Sequence, residues 1–374
     1  MIQLAVMIKK LLIVFILFTG SLALFLLISP GTEYKKLLPE IMQPAAPTHE
    51  SVPLTTQVGQ LFAIGHWANM VASTTAARVR DLQLGSVIIM SAPMFEYGVD
   101  EQMIRTWTNN WQAAAETPLI ISIDQEGGVV SRLRGSVHIQ TAQPNITDEA
   151  TAYGVASERA VALQTLGINA NYAPVLDSSV SPDSFMYPRV FRDPEMIAPL
   201  ADAMIRGYQD NAVIAVPKHF PGHPDTNDDS HLTLPHLDMT LEEYIVHTQQ
   251  FTDLIKLGDT QMLMTAHVLV PALDPDFPAT VSPIVLADLR ERIGYDGVII
   301  TDDLAMQAIS DRWSYAESAV LALKAGADMV MLAAEPENAS STVQAVIEAV
   351  ESGELSRERV FEAYSRVMEV KRGL

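Results

Sequence analysis

The sequence contains no cysteine. Disulfides, thiolate nucleophiles, Cys-ligated zinc and a lipid-modified cysteine anchor are therefore excluded. Positive charge is scarce: 24 Lys and Arg face 45 Asp and Glu, a formal net charge of −21. So acidic a chain is poorly suited to neutralising phosphates, and no nucleic-acid partner is expected. Charged residues amount to 18% against 48% hydrophobic. That balance excludes disorder as the main state and supplies a large core. Internal repeats and low-complexity tracts are also missing. A chain of 374 residues allows two domains or a single α/β barrel.

What is present begins with an apolar run, Leu11 to Ser29, of 19 residues. A bilayer span needs roughly 20, whereas the apolar core of a signal peptide usually has about 7–15. Lys9 and Lys10 precede the run, a small-x-small site lies at Ser21 and Ala23, and apolar residues continue beyond it. The length favours an uncleaved anchor over a cleaved signal, with residues 1–30 as the membrane segment. The flanking lysines put the N-terminus in the cytoplasm and the remainder outside the cytoplasmic membrane, anchored or secreted; Lys35 and Lys36 on the far side weaken that bias. Residues 31–53 are rich in proline and polar residues and read as a linker.

From residue 54 to 374, short apolar runs alternate with amphipathic stretches. Eight strands are expected, at Leu61–Gly65, Ser86–Ser91, Leu119–Asp124, Ile168–Pro174, Val213–His219, Gln261–His267, Gly297–Asp302 and Asp328–Leu332. Most are solidly apolar, as strands covered on both faces should be. Between them, Thr147 caps a helix ending at Gly167. Thr240 with Glu243 and Ser314 with Glu317 form capping boxes, closed by Gly258 and Gly326. Eight such units favour a single (β/α)8 TIM-type barrel, with an open doubly wound sheet as the competing architecture. A barrel predicts chemistry at the C-terminal ends of strands.

The polar clusters fall there. Asp124-Gln125-Glu126-Gly127-Gly128, followed by Arg132, couples carboxylates suited to sugar hydroxyls with a glycine turn; a plain polar loop is the competing reading. Lys218-His219-Phe220-Pro221-Gly222-His223 leads into Asp225, Asp228, Asp229, Ser230 and His231, a dense stretch for a chain with nine histidines. A metal site is the sharper rival here, although Pro221 and Gly222 prevent a helix from aligning His219 with His223. Thr301-Asp302-Asp303 ends the seventh strand. A carboxylate there is costly unless paired or used, and Asp303 has the plainer option of capping the next helix. Trp107 and Trp111, four apart on a helical stretch, read as core.

With Val58-Gly59-Gln60-Leu61-Phe62, Ala173-Pro174-Val175-Leu176-Asp177, Arg189-Val190-Phe191 and Ala266-His267-Val268 added, these motifs occur in one order over residues 55–310. In that order they resemble glycoside hydrolase family 3, and within it the β-N-acetylhexosaminidase branch typified by bacterial peptidoglycan-recycling β-N-acetylglucosaminidase. The resemblance implies Asp302 as nucleophile, His231 as general acid/base supported by Asp229, and Asp124, Arg132, Arg189, Lys218 and His219 as binders of the terminal sugar. Two positions depart from the family: Pro224 replaces a glycine, stiffening the chain before His231, and Val129 replaces an arginine.

The chemistry is coherent. A retaining glycosidase needs a carboxylate on one side of the anomeric carbon and a proton donor on the other. An imidazole can give and take a proton near neutral pH, and Asp229 can orient it. A neutral histidine, unlike a glutamate, tolerates an anionic acceptor, so phosphorolysis stays open. The expectation is thus a monomeric exo-β-N-acetylglucosaminidase acting on peptidoglycan fragments or chitooligosaccharides that end in β-linked GlcNAc. It needs no cofactor and no metal, and touches the membrane only through its N-terminal segment. A GlcNAc phosphorylase, a metal-dependent hydrolase built on His219, His223, His231 and the aspartates of the same stretch, and an inactive glycan-binding protein are the alternatives.

Overall fold

The computed structural model describes residues 51–90, 100–133, 140–226 and 229–374. The proposed membrane segment lies outside the described residues, as does the linker up to residue 50. Among the described residues no helix is long and apolar enough to cross a membrane.

Eight parallel strands form the sheet: β1 Phe62–Trp67, β2 Ser86–Met90, β3 Ile120–Ile123, β4 Ala170–Asn171, β5 Ile214–Ala215, β6 Met262–Met264, β7 Val298–Asp303 and β8 Met329–Leu332. Their order, β5-β4-β3-β2-β1-β8-β7-β6, wraps the last strands round to the first. The remaining gap, between β5 and β6, is bridged just beyond β5. Phe220 pairs in parallel with Thr265. Its N–H donates to the Met264 carbonyl at 2.8 Å, and Met264 N–H donates to the Pro217 carbonyl at 3.0 Å. The polar motif after β5 is therefore part of the barrel wall. An open doubly wound sheet would leave β5 and β6 as free edges, and here they are joined.

Helices cover the outside: α1 Ala72–Leu82, α2 Glu101–Ala114, α3 Glu149–Thr165, α4 Ile197–Gln209, α5 Gln249–Leu257, α6 Pro283–Glu291, α7 Tyr315–Ala325 and α8 Ala339–Ser352. With both faces covered, the strands are buried almost throughout, which is why they read as continuous apolar runs. Trp107 and Trp111 of α2 close edge-on around His66 of β1 in this layer.

Local departures have local causes. The cap of α3 is Asp148, whose side chain accepts from Thr151 N–H, and not Thr147. The helical stretch after Thr240 keeps its capping box but breaks at Thr248 into Leu241–His247 and α5. β4 and β5 keep two residues each, because Pro174 and Pro217 have no N–H to continue the ladder. Two small antiparallel pairs, Gln125–Gly127 with Val130–Ser131 and Leu269–Val270 with Asp274–Pro278, lie outside the eight strands expected from the sequence.

Candidate active site

The first polar motif leaves β3 and folds back at once. Gly127 has φ +85°, and a Cβ there would lie 2.2 Å from the Thr141 carbonyl oxygen; only glycine fits. The turn brings Asp124 and Glu126 to one side of the barrel mouth. Lys218, sent inward from the wall segment after β5, places Nζ 2.6 Å from Asp124 and 2.7 Å from Glu126. Arg189 forks onto Glu126 at 2.8 and 2.9 Å, and Arg132 reaches Asp124 at 3.3 Å. Burial raises the Glu126 carboxyl, but Arg189 and Lys218 more than offset it and bring it to about 2. Asp124 is likewise held below its ordinary range, with Lys218 and Arg132 outweighing burial. Two anions and three cations thus form a preorganised floor whose remaining donors and acceptors suit a polyhydroxylated ring.

A second web adjoins it. Asp177, fully buried after β4, takes the backbone N–H and Nδ1 of His219 on one oxygen, at 3.1 and 2.7 Å. Its other oxygen takes the same two groups of His223, at 2.7 and 2.9 Å. Each imidazole thereby carries its hydrogen on Nδ1, and the Nε2 of His219 accepts from Arg189 at 3.4 Å. Burial lowers the His219 pKa against the pull of Asp177. These three side chains are also the one group with metal-like spacing among the described residues. Their Nδ1 and carboxylate atoms are, however, spent on one another, and His231 is not among them.

Asp302, at the end of β7, faces the same cleft. Burial raises its carboxyl, while His219, His267, Lys218 and the Asp303 N–H together hold it below the ordinary carboxylate range. Lys218 contributes to this although its ammonium is also engaged by Asp124 and Glu126. Asp303 does not cap a helix. Its oxygens accept from the N–H groups of Ala305, Ala333 and Ala334 at 2.8–3.1 Å and tie the end of β7 to the end of β8. His267, behind Asp302, donates through Nε2 to the Asp303 carbonyl at 3.0 Å and fixes that strand end.

The third element is the segment after Pro224. Asp225 anchors its root: its carboxylate accepts from Ser179 Oγ at 2.5 Å and from the N–H groups of Val180 and Ser181 at 3.0 Å. Asp228 lies outside the described residues. Asp229 accepts both the N–H and Nδ1 of His231, at 2.9 and 2.7 Å. The Nδ1 hydrogen is thereby committed, and Nε2 is left to exchange a proton. The His231 side chain is 66% exposed, against 3% for Lys218.

Of the eight site residues named from the sequence, Asp124, Arg132, Arg189, Lys218, His219, His231 and Asp302 line one cleft. Asp229 touches it through His231. Val129 points to solvent, 60% exposed, while Val130, Phe185, Met264 and Met331 supply apolar wall. Asp177 and His267 were not assigned roles from the sequence, and Glu126 only as one of the carboxylates suited to sugar hydroxyls. For the two acids the available signal was a buried carboxylate within the motif, which must find a partner.

A parallel barrel thus gathers buried ion-paired carboxylates, a separate ionised aspartate and a carboxylate–imidazole pair around one cleft at its strand ends. The chain matches the Glycosyl hydrolase family 3 N terminal domain over residues 53–370, and it belongs to that family. It is 31% identical to beta-hexosaminidase A of Pseudoalteromonas piscicida over 70% of this chain and 48% of that protein, so it spans about half of that relative. It is 30% identical to a beta-hexosaminidase of Nitrosomonas eutropha over 77% of this chain and 87% of the relative. Among solved structures, a family 3 beta-N-acetylglucosaminidase from Paenibacillus superposes with TM-score 0.80 at 35% identity, covering 86% of this chain and 62% of that one.

Proposed function

We propose that the protein is a retaining exo-β-N-acetylhexosaminidase that removes terminal β-linked GlcNAc by double displacement. The observation that carries the reading is the pairing of an ionised Asp302 with an Asp229-oriented His231 in one cleft. Asp302 attacks the anomeric carbon as the glycosidic C–O bond breaks. Protonated His231 gives its Nε2 proton to the departing oxygen. Water then attacks the glycosyl–Asp302 ester, His231 takes the water's proton, and the Asp302 carboxylate is released. Asp229 holds the imidazole tautomer and steadies its charged form. Asp124, Glu126, Arg132, Arg189, Lys218 and His219 orient the sugar, whose hydroxyls replace water on a floor already in place. No cofactor enters these steps. The substrates are peptidoglycan fragments or chitooligosaccharides, met outside the cytoplasmic membrane by a monomeric barrel tethered to, or released from, the apolar segment of residues 11–29.

The test is release of p-nitrophenol from the β-GlcNAc and β-glucose glycosides by a chain lacking residues 1–30, with EDTA and phosphate arms. GlcNAc turnover that survives EDTA and disappears in Asp302→Ala is expected. Activity abolished by EDTA would support a metal enzyme instead. Sugar 1-phosphate as the product in phosphate buffer would convert the reading to a phosphorylase, and a folded chain that turns over neither glycoside would favour a binding module.

A further inference from the structure

Ser230 lies between Asp229 and His231 but behaves unlike either. The Asp229 and His231 side chains are 34% and 66% exposed, whereas Ser230 is 2% exposed. Its hydroxyl turns inward, to within 3.3 Å of His223 Nε2. That nitrogen is available as an acceptor because Asp177 holds the hydrogen of the same ring on Nδ1. The ring is also held in place: Phe185 packs edge-on against it at 5.3 Å and 87°. On the other flank, Ala308 N–H, just beyond β7, donates to the Ser230 carbonyl at 3.4 Å. Ser230 therefore joins the segment carrying His231 both to the buried web after β5 and to the stretch that follows Asp302. Neither His223 nor Ser230 is used in the chemical steps above.

We propose that His223 and Ser230 form a latch that positions His231 over the bond to be cleaved, with Asp177 setting the latch by fixing the His223 tautomer. Both are positioning residues. The inference rests on the hydrolase reading, because only an acid/base needs so defined a seat. Loss of the hydroxyl leaves a buried imidazole nitrogen unpaired and frees the segment, while the Asp229–His231 pair itself stays intact.

The latch should matter where proton donation matters. In Ser230→Ala, kcat on chitobiose, whose leaving sugar needs a proton, should fall roughly five- to tenfold with KM little changed. The rate of leaving-group release from dinitrophenyl β-GlcNAc, which needs no acid, should hold. Ser230→Thr, which keeps the hydroxyl, should restore chitobiose turnover. Equal losses on both substrates, or no loss on either, would overturn the latch. A second arm is independent of turnover. The amides of Leu232 and Thr233, which donate to the Asp229 carbonyl at 2.9 and 3.0 Å, should exchange hydrogen faster in Ser230→Ala and at the wild-type rate in Ser230→Thr. Unchanged exchange in Ser230→Ala would overturn the latch even in an inactive protein. An inactive wild type with faster exchange in the variant would sink the hydrolase reading alone. If Ser230→Ala folds poorly, Ser230→Cys keeps the size of the side chain but donates only weakly and should show the same substrate-selective loss, smaller in size.

Discussion

The two sides of the cleft are built differently. The floor contributed by β3, the loop after β4 and the wall segment after β5 is buried and cross-linked. Lys218 is shared by two carboxylates, Arg189 forks onto one of them, and Asp177 binds two imidazoles. The segment bearing Asp229 and His231 is largely exposed, held at its root by Asp225 and at its middle by Ser230. The contrast fits a division of labour. A sugar ring must be recognised by groups that do not reorganise, because preorganised donors and charges cost nothing at the moment of reaction. A proton donor must serve leaving groups of different shape and then admit water.

The contrast is broken most severely at Asp302, the proposed nucleophile. Asp302→Ala should lower kcat by about 10⁴-fold or more on every substrate, since the other carboxylates lining the cleft, Asp124 and Glu126, are engaged by Arg132, Arg189 and Lys218; steady-state kinetics on aryl glycosides and chitobiose check it. His231→Ala should cost about 10²–10⁴-fold on chitobiose and much less on the first step with a dinitrophenyl glycoside. A uniform loss would mean that His231 holds the site together and does not transfer the proton.

Damage to the floor should appear in binding and stability. Glu126→Gln leaves two buried cations short of a partner, so it should raise KM and destabilise the barrel by about 3 kcal/mol at neutral pH. The pH dependence follows from the depressed carboxyl, about 2 in the folded chain against an ordinary 4.5. The unfolded state binds the extra proton between these values, so the contribution is complete above about 4.5 and is lost as pH falls toward 2. The gap in melting temperature between wild type and Glu126→Gln should therefore be widest above pH 4.5 and close toward pH 2; a gap independent of pH would contradict the ion-pair account. The smallest effect is expected at the root of the exposed segment. Asp225→Ala removes acceptors for a hydroxyl and two amides at the surface and should cost about 1 kcal/mol of stability with a few-fold change in kcat. A loss as large as that of His231→Ala would mean that the exposed side is as rigidly built as the floor.

The sequence was informative where one residue type at one place has one physical use. Apolar runs, most of them unbroken, located the barrel strands, and Thr240–Glu243 and Ser314–Glu317 located helix starts. It was less informative where a proline interrupts a ladder, as in β4 and β5, and where glycines let a motif fold back into a hairpin after Asp124. Pairings across the barrel were hidden altogether. Glu126 meets Arg189 across 63 positions and Asp177 meets His219 across 42, and spacing carries no record of which charge another will face. Asp229 with His231 was legible because two residues on one loop can satisfy each other locally. The seat of Ser230 was not, because it depends on where β5 and β7 bring their loops.

The central claim is that Asp302 forms the covalent intermediate. The most direct measurement is to trap that intermediate with a 2,4-dinitrophenyl GlcNAc glycoside in His231→Ala, where the second step lacks its base, and to map the modified peptide by mass spectrometry. The account predicts a single N-acetylhexosaminyl adduct on Asp302, absent from the Asp302→Ala, His231→Ala double variant. An adduct on Asp124 or Glu126, or continued stoichiometric release of dinitrophenol by the double variant, would contradict it.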